Sequence, residues 1–460
     1  MADLRTTFCG IESPNPYWIA SAPPANSARQ VLNAFELGWG GVVWKTLGAP
    51  VVDTCNRYGS IDLNGTKIAG FNNIELISDR TLDVNFAEIA DVKRRYPDRA
   101  VIVSLMVESE RDSWHEVVRR TEATGCDGLE LNYGCPHGMS ERGMGAAVGQ
   151  VPEYIEMITG WVKEVAQTPV LVKLTPNVTN IAPCAQAAAR GGADGLSLIN
   201  TINSVMGVDL DTWEPRPSVD GLGSHGGYAG PAVKPIALHL LNEVVHAGTD
   251  LPISGIGGIG SWRDAAEFLA LGSTSLQVCT AIMHHGFRVI DDLTVGLSNY
   301  LDAKQMSMDE LRGRSSQRLT SFENLNLNFK VVSQIDHDLC IQCNKCVIAC
   351  RDSEVDCIDQ VELAYGTYPV VREHDCIGCN LCSLVCPVEG CISMEKVDLD
   401  RPTVTWKGVV EHLGGAPSAC PSTASPVGWD EFMRLADGEL IRRGVDGAPG
   451  PVPNPVVPGS

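Results

Sequence analysis

At 460 residues the chain exceeds one ordinary domain and has room for a core of ~250 residues with a smaller module beside it. Its formal charge of −21 repels polyphosphate and argues against a nucleic-acid partner, and no run of ~18 apolar residues offers a membrane span. The opening MADLRTTFCG lacks the charged-then-apolar layout of a signal peptide, so a cytoplasmic location is expected, where seventeen cysteines do not read as a disulfide framework.

Over residues 1–300 short apolar runs alternate with helix-like stretches. The runs are WIASAP (18–23), GGVVWKT (40–46), AVIVSLM (100–106), GLELNYG (128–134), VLVKLTP (170–176), GLSLINT (195–201), PISGIGG (252–258) and SLQVCTA (275–281). Each is β-branched or otherwise apolar, as a parallel strand buried on both faces requires. Between them lie amphipathic segments such as VPEYIEMITGWVKEVAQ and DAAEFLALG. Glycine follows the helices at TGCDG, GGADG and LGSTS, where a left-handed residue commonly closes a helix. Eight strand–helix units predict an α/β fold of the (β/α)8 TIM-barrel type in preference to a doubly wound sheet.

A barrel gathers its chemistry at the C-terminal ends of its strands, and polar side chains fall there. Lys45 ends the second run, Asn132 the fourth with Cys135 just beyond, and Lys173 the fifth. Asn200 and Thr201 end the sixth, Gly257 and Gly258 the seventh, Cys279 and Thr280 the eighth. Packing alone does not explain polar groups collected at one rim of an apolar barrel. The stretch GIGGIG (255–260) matches G-x-G-x-x-G, but it follows the seventh strand and no acidic strand end comes about 20 residues later. Loops after strands seven and eight of a barrel hold phosphate on backbone N–H groups. A mononucleotide therefore fits this stretch better than NAD, and no other stretch offers a nicotinamide site.

Residues 301–332 read as a polar connector. Beyond it, CIQCNKCVIAC places Cys340, Cys343, Cys346 and Cys350, and CIGCNLCSLVCP places Cys376, Cys379, Cys382 and Cys386 before Pro387. Both have the C-x2-C-x2-C-x3-C spacing of two-cluster ferredoxins. Three thiolates on a short curled loop grip three irons, while the fourth cysteine starts a helix and reaches the other cluster. One 4Fe-4S cluster is then expected on Cys340, Cys343, Cys346 and Cys386, and a second on Cys376, Cys379, Cys382 and Cys350. Zinc takes its ligands as two separated pairs, and duplicate register speaks against it. The first group ends Cys350-Arg351, without the usual proline. A ferredoxin-like module is thus expected at 333–397. An extension at 398–460 follows, with GWDEFMRLADGELIRR (428–443) as a short helix before a Pro/Gly tail.

The segment LELNYGCPHGMSERGMGAAVGQ (129–150) resembles the active-site loop of dihydropyrimidine dehydrogenases. The likeness continues through SAPPANS, WKTLG, FNNIELIS, VKLTPN, LINTIN, HGGYAG and LQVCTA into the cluster module, over residues 5–397. Dihydroorotate dehydrogenases share the barrel and an Asn-x-x-Cys-Pro pattern but lack the appended module. The resemblance implies FMN in the barrel mouth, held by Ser21, Lys45, Thr46, Lys173, Gly230, Ile256, Gly257, Gly258, Cys279 and Thr280, with Lys45 and Lys173 placing positive charge near reduced flavin. It also implies uracil or thymine stacked on the flavin and contacted by Asn73, Glu75, Asn132, Asn200 and Thr201. Side-chain amides suit an edge of C=O and N–H groups because each presents a donor and an acceptor.

Reducing the 5,6 double bond then takes hydride from FMN N5 to C6 and a proton from Cys135 to C5, a thiol of unperturbed pKa ~8.5 being protonated near neutral pH. Gly138, Gly143 and Gly145 imply a mobile flap around Cys135 that excludes water, with His137 as a tuning partner or a loop cap. Gly134 stands where the resembling enzymes usually have serine. With no NAD(P)H site on this chain, electrons are expected from an FAD- and NAD(P)-binding partner subunit through the clusters, in a homodimer or heterotetramer. Two other readings compete: a related flavin reductase acting on dihydroorotate or orotate, and an electron-carrier subunit without its own chemistry, against which Cys135 and the asparagine set speak.

Overall fold

Each of the eight apolar runs forms a strand in the computed structural model, which describes residues 2–63, 66–135, 143–353, 355–363, 366–399 and 402–408. These strands are β1 (Tyr17–Ile19), β2 (Gly41–Leu47), β3 (Ala100–Leu105), β4 (Gly128–Asn132), β5 (Val170–Lys173), β6 (Gly195–Leu198), β7 (Ile253–Ile256) and β8 (Ser273–Val278). They pair in parallel in chain order, and β8 pairs with β1 through Gln277 opposite Trp18, which closes the barrel. Every residue of all eight strands is buried, and this is why the runs read as continuously apolar rather than alternating.

Among the described residues a helix of nine residues or more follows each strand: α1 (Ala28–Glu36), α2 (Leu82–Arg95), α3 (Arg111–Glu122), α4 (Pro152–Lys163), α5 (Ala182–Arg190), α6 (Lys234–Val245), α7 (Trp262–Ala270) and α8 (Val289–Lys304). Their starts and stops are local chemistry. Thr81 Oγ1 accepts the Val84 N–H at the head of α2, and Ser261 with Asp264 forms a capping box at the head of α7. Past α3 and α5 the chain turns through Gly125 (φ +81°) and Gly192 (φ +87°), as the glycine placement anticipated. Ile89 of α2 and Phe268 of α7 pack with the strands into one core. Truncating either to alanine costs about 2–5 kcal/mol.

A four-stranded antiparallel sheet is the element that the sequence pattern does not announce. It runs in the order Ile202–Ser204, Gly226–Ala229, Thr66–Asn73, Tyr58–Leu63. Its signal is weak because glycine occupies crowded positions. A Cβ on Gly227 would lie 2.2 Å from Thr201 Oγ1, and one on Gly70 would overlap the Tyr228 ring.

The chain divides into two compact units, residues 1–319 and 320–460, and the division falls within the segment 301–332. Before it, Met308 and Leu311 of a short helix belong to the barrel core. The second unit is an internal repeat: strand Lys330–Ile335 pairs antiparallel with Ile392–Val397, and Ile358–Leu363 with Gly366–Val371. Helices Lys345–Ser353 and Leu381–Val385 complete the two halves. Residues 409–460, including the 428–443 segment, lie outside the described residues. No helix among the described residues is long and apolar enough to cross a membrane.

Candidate active site and cluster ligands

The C-terminal rim of the barrel opens into a cavity of about 1290 Å³, counted out to open solvent, lined by every barrel residue singled out from the sequence as a ligand, catalytic or substrate contact. Strand ends bring Lys45, Thr46, Asn132, Lys173 and Ile256. The loops beyond bring Ser21, Cys135, Asn200, Thr201, Gly257, Gly258, Cys279 and Thr280, and the antiparallel sheet with its flanks brings Asn73, Glu75 and Gly230.

One continuous hydrogen-bond ladder crosses the mouth. Ser21 Oγ lies 3.1 Å from Thr46 Oγ1, which is also 3.0 Å from Ser104 Oγ. Asn132 Nδ2 donates to Thr46 Oγ1 at 3.0 Å, and Asn200 Nδ2 donates to Asn132 Oδ1 at 2.9 Å. The Thr201 N–H in turn donates to Asn200 Oδ1 at 2.8 Å. These bonds fix which way both amides face, leaving directed capacity for a ligand edge. Asn73 stands across the cavity, its Nδ2 donating to Gly227 O at 3.2 Å.

Lys45 and Glu75 form a buried ion pair, and the Tyr58 hydroxyl donates to the other Glu75 oxygen at 2.9 Å. Both carboxylate oxygens of Glu75 are therefore held in place within the protein, and each keeps a lone pair for a further donor. The same pairing offsets the charge of Lys45. Burial, with the Glu75 carboxylate behind it, pushes the Tyr58 hydroxyl above its ordinary range. Burial likewise pushes the Cys279 thiol up to about 12 against the opposing pull of Lys173 and Lys45, so this thiol is neutral.

Beneath the mouth is a polar layer that the pattern of apolar runs concealed. Lys173 Nζ lies 3.7 Å from Glu130 Oε1, and Glu130 is fully buried. Gln277 Nε2 donates to Glu130 Oε2 at 3.0 Å and lies 3.2 and 3.3 Å from the hydroxyls of Ser197 and Ser254. Glu130 Oε1 has no hydrogen-bond partner, so the nearby ammonium is its compensation. The available signal was a carboxylate inside a strand otherwise fit for burial. Tyr58, Phe71, Tyr228 and His284 at the mouth were also missed, because the sheet that carries three of them was not anticipated.

Cys135 is buried beside Ile77, Met106 and Met144, and its carbonyl accepts the Ala146 N–H at 3.1 Å. Of the flap glycines, Gly143 (φ +65°) and Gly145 (φ +59°) hold backbone that disfavours side chains. Gly138 and His137 lie outside the described residues. Gly134 has a steric reason: Asn200 packs directly against it, where a side chain would sit.

The cavity suits a phosphorylated, flat, conjugated ligand. Gly230 (φ +101°), Gly257 (φ +126°) and Gly258 (φ +76°) line one side, and a Cβ on Gly258 would fall 2.8 Å from the Lys234 backbone N and 3.0 Å from Gly230 O. Backbone approaches this closely only without side chains. Apolar Ile199, Val233 and Ile256 line the same cavity.

In the second unit, Cys340, Cys343, Cys346 and Cys386 line one small cavity of about 320 Å³, counted out to open solvent. Three come from the first group and one from the second, the crossing that the spacing implies. Rather than starting helices, as the spacing suggests, the fourth cysteines end them: Cys350 lies in the last turn of Lys345–Ser353 and Cys386 directly follows Leu381–Val385. In the complementary set, Cys350 Sγ lies 3.5 Å from Cys357 Sγ. Cys382 Sγ lies 3.2 Å from Ser333 Oγ.

Residues 3–301 match the family model described as dihydroorotate dehydrogenase, and residues 333–394 match the 4Fe-4S dicluster domain. The chain is 39% identical over 414 residues to the NAD-dependent dihydropyrimidine dehydrogenase subunit PreA of Escherichia coli, covering 89% of this chain and 98% of that one. It is 41% identical over 337 residues to the chloroplastic dihydropyrimidine dehydrogenase (NADP(+)) of Arabidopsis thaliana, covering 70% and 79%. A crystal structure of DHODH from Eimeria tenella in complex with ferulenol aligns with a TM-score of 0.57 at 18% identity, over 68% of this chain and 88% of that one, and shows the shared fold alone. The chain therefore belongs to the dihydroorotate dehydrogenase family, as an oxidoreductase of its dihydropyrimidine dehydrogenase branch, with a 4Fe-4S dicluster domain after the barrel.

Proposed function

We propose that the chain is the pyrimidine-reducing subunit of a dihydropyrimidine dehydrogenase, adding two hydrogens across the 5,6 double bond of uracil or thymine. The observation that carries this reading is the ladder from Thr46 through Asn132 to Asn200, which sets fixed amides in the same cavity as the Cys135 thiol and the buried Lys173. Ser21, Lys45, Thr46, Lys173, Gly230, Ile256, Gly257, Gly258, Cys279 and Thr280 would hold FMN. The positive-φ glycines would give its phosphate a close backbone cradle, and Lys173 would place positive charge near the flavin. Bound there, FMN supplies the hydride for C6.

Asn73, Asn132, Asn200 and Thr201 orient the base through its C=O and N–H edge, with Glu75 as a further acceptor for an N–H of that edge. Cys135 Sγ holds the proton that C5 receives. The Cys340 and Cys376 sets would each hold one 4Fe-4S cluster that takes electrons onward from outside the chain. The relative named as a subunit supports a partner, which we assign as an FAD- and NAD(P)-binding protein, in a cytoplasmic homodimer or heterotetramer. Anaerobic turnover with an artificial low-potential reductant tests the reading on a panel of uracil, thymine and orotate. Dihydrouracil or dihydrothymine is the expected product, and exclusive reduction of orotate overturns the substrate assignment.

A further inference from the structure

Each half of the dicluster unit carries a fifth cysteine that ligation of two four-iron clusters does not require. Cys357 stands immediately before the strand Ile358–Leu363, and Cys391 immediately before Ile392–Val397. The two occupy equivalent places in the internal repeat. The Cys357 carbonyl accepts the Arg372 N–H at 2.8 Å, and the Cys391 carbonyl accepts the Asp336 N–H at 2.8 Å. In each case the donor directly follows the antiparallel strand of the other half. Both thiols are buried, at 3% and 2% exposure.

A buried cysteine is often only a small apolar filler, but these two face ligand sulfurs. Cys357 Sγ lies 3.5 Å from Cys350 Sγ, toward which the Cys357 backbone N–H also points at 3.4 Å. Cys391 lines the same cavity as Cys340, Cys343, Cys346 and Cys386. An ordinary thiol, protonated near neutral pH, turns its hydrogen toward a metal-bound thiolate. Hydrogen bonds to cluster sulfurs favour the more electron-rich reduced state and raise the reduction potential.

We infer that Cys357 and Cys391 are second-layer thiol donors that raise the potentials of the two clusters, Cys357 acting on the Cys350–Cys376 set and Cys391 on the Cys340–Cys386 set. The inference rests on the cluster ligation proposed above. The two effects are unequal. Cys391 Sγ has a competing acceptor in Asp336 O at 3.6 Å, whereas Cys357 Sγ lies 3.5 Å from a ligand sulfur, Cys350 Sγ. The cluster on Cys376, Cys379, Cys382 and Cys350 therefore receives the stronger donor.

The test is an anaerobic redox titration of the full chain followed by EPR, on the parent, Cys357→Ala, Cys357→Ser and Cys391→Ala. Cys357→Ala is expected to keep full iron content, lower the midpoint potential of one cluster and leave the other in place. Cys357→Ser, which retains a donor, returns most of the shift. Cys391→Ala lowers the potential of the other cluster by a smaller amount, and gives a reading on a separate loop if a Cys357 variant does not accumulate. Unshifted potentials in both alanine variants at full iron content overturn the inference. Loss of one whole cluster in Cys357→Ala also overturns it, by making that thiol a ligand. A parent chain with neither cluster signal instead removes the ligation reading beneath it.

Discussion

The Cβ that Gly134 lacks would sit 2.5 Å from Asn200 Cβ and 2.6 Å from Asn200 Nδ2. Glycine thus allows Asn200 to lie against the backbone while donating to Asn132. Gly134→Ser is expected to displace Asn200 and break that bond, worth about 1 kcal/mol, raising KM for uracil roughly fivefold with flavin content unchanged. Steady-state kinetics beside the flavin-to-protein ratio checks it. An unchanged KM would show that Asn200 moves without consequence.

Cys135→Ala removes the thiol proposed as the source of the C5 proton while leaving the ladder and the glycine cradle intact. The variant is expected to retain flavin and iron and to lose about 10²–10⁴-fold in pyrimidine reduction. Activity at the parental rate in anaerobic assays sinks the proton-donor role.

Inside the barrel, Lys173 is the compensation for buried Glu130. Lys173→Met leaves that carboxylate uncompensated and is expected to destabilise the barrel by about 3–5 kcal/mol. Adding Glu130→Gln recovers a large part of the loss, because the amide carries no charge. Thermal unfolding of the two single variants and the double variant measures the coupling. Additive effects would mean that the two groups do not interact.

Burial pushes the thiols of Cys126 and Cys279 up to about 12 from an ordinary value of 9.0. A folded-state pKa raised above the unfolded one stabilises fully below the unfolded value and is lost as pH climbs toward the folded one. The barrel is therefore expected to lose thermal stability between about pH 9 and about pH 12. Cys126→Ala is expected to flatten that decline. Equal slopes in parent and variant contradict it.

The barrel was legible because strands buried on both faces leave continuous apolar runs, and because chemistry projects from their C-terminal ends, as at Lys45 and Asn132. The 4Fe-4S dicluster domain was legible because the same cysteine spacing occurs twice. Glu130 and Gln277 were hidden by that same two-sided burial, which erases the alternation that marks an inward polar residue. Tyr58 and Tyr228 were hidden because the sheet holding them is short and rich in glycine. Cys357 and Cys391 fall outside the ligand spacing, and only the repeat of the folded unit brings them to the ligand sulfurs. The partnership of Glu75 with Lys45 is a tertiary contact between a barrel strand and the segment after the antiparallel sheet, which no local pattern encodes.

The half-reaction of the isolated chain is the most direct measurement. The purified protein is reduced anaerobically without NADH, freed of excess reductant and mixed with uracil while the flavin absorbance and dihydrouracil are followed. Return of oxidised flavin absorbance together with dihydrouracil is the predicted result. A chain that carries no flavin, or whose reduced spectrum persists in the presence of uracil, contradicts it.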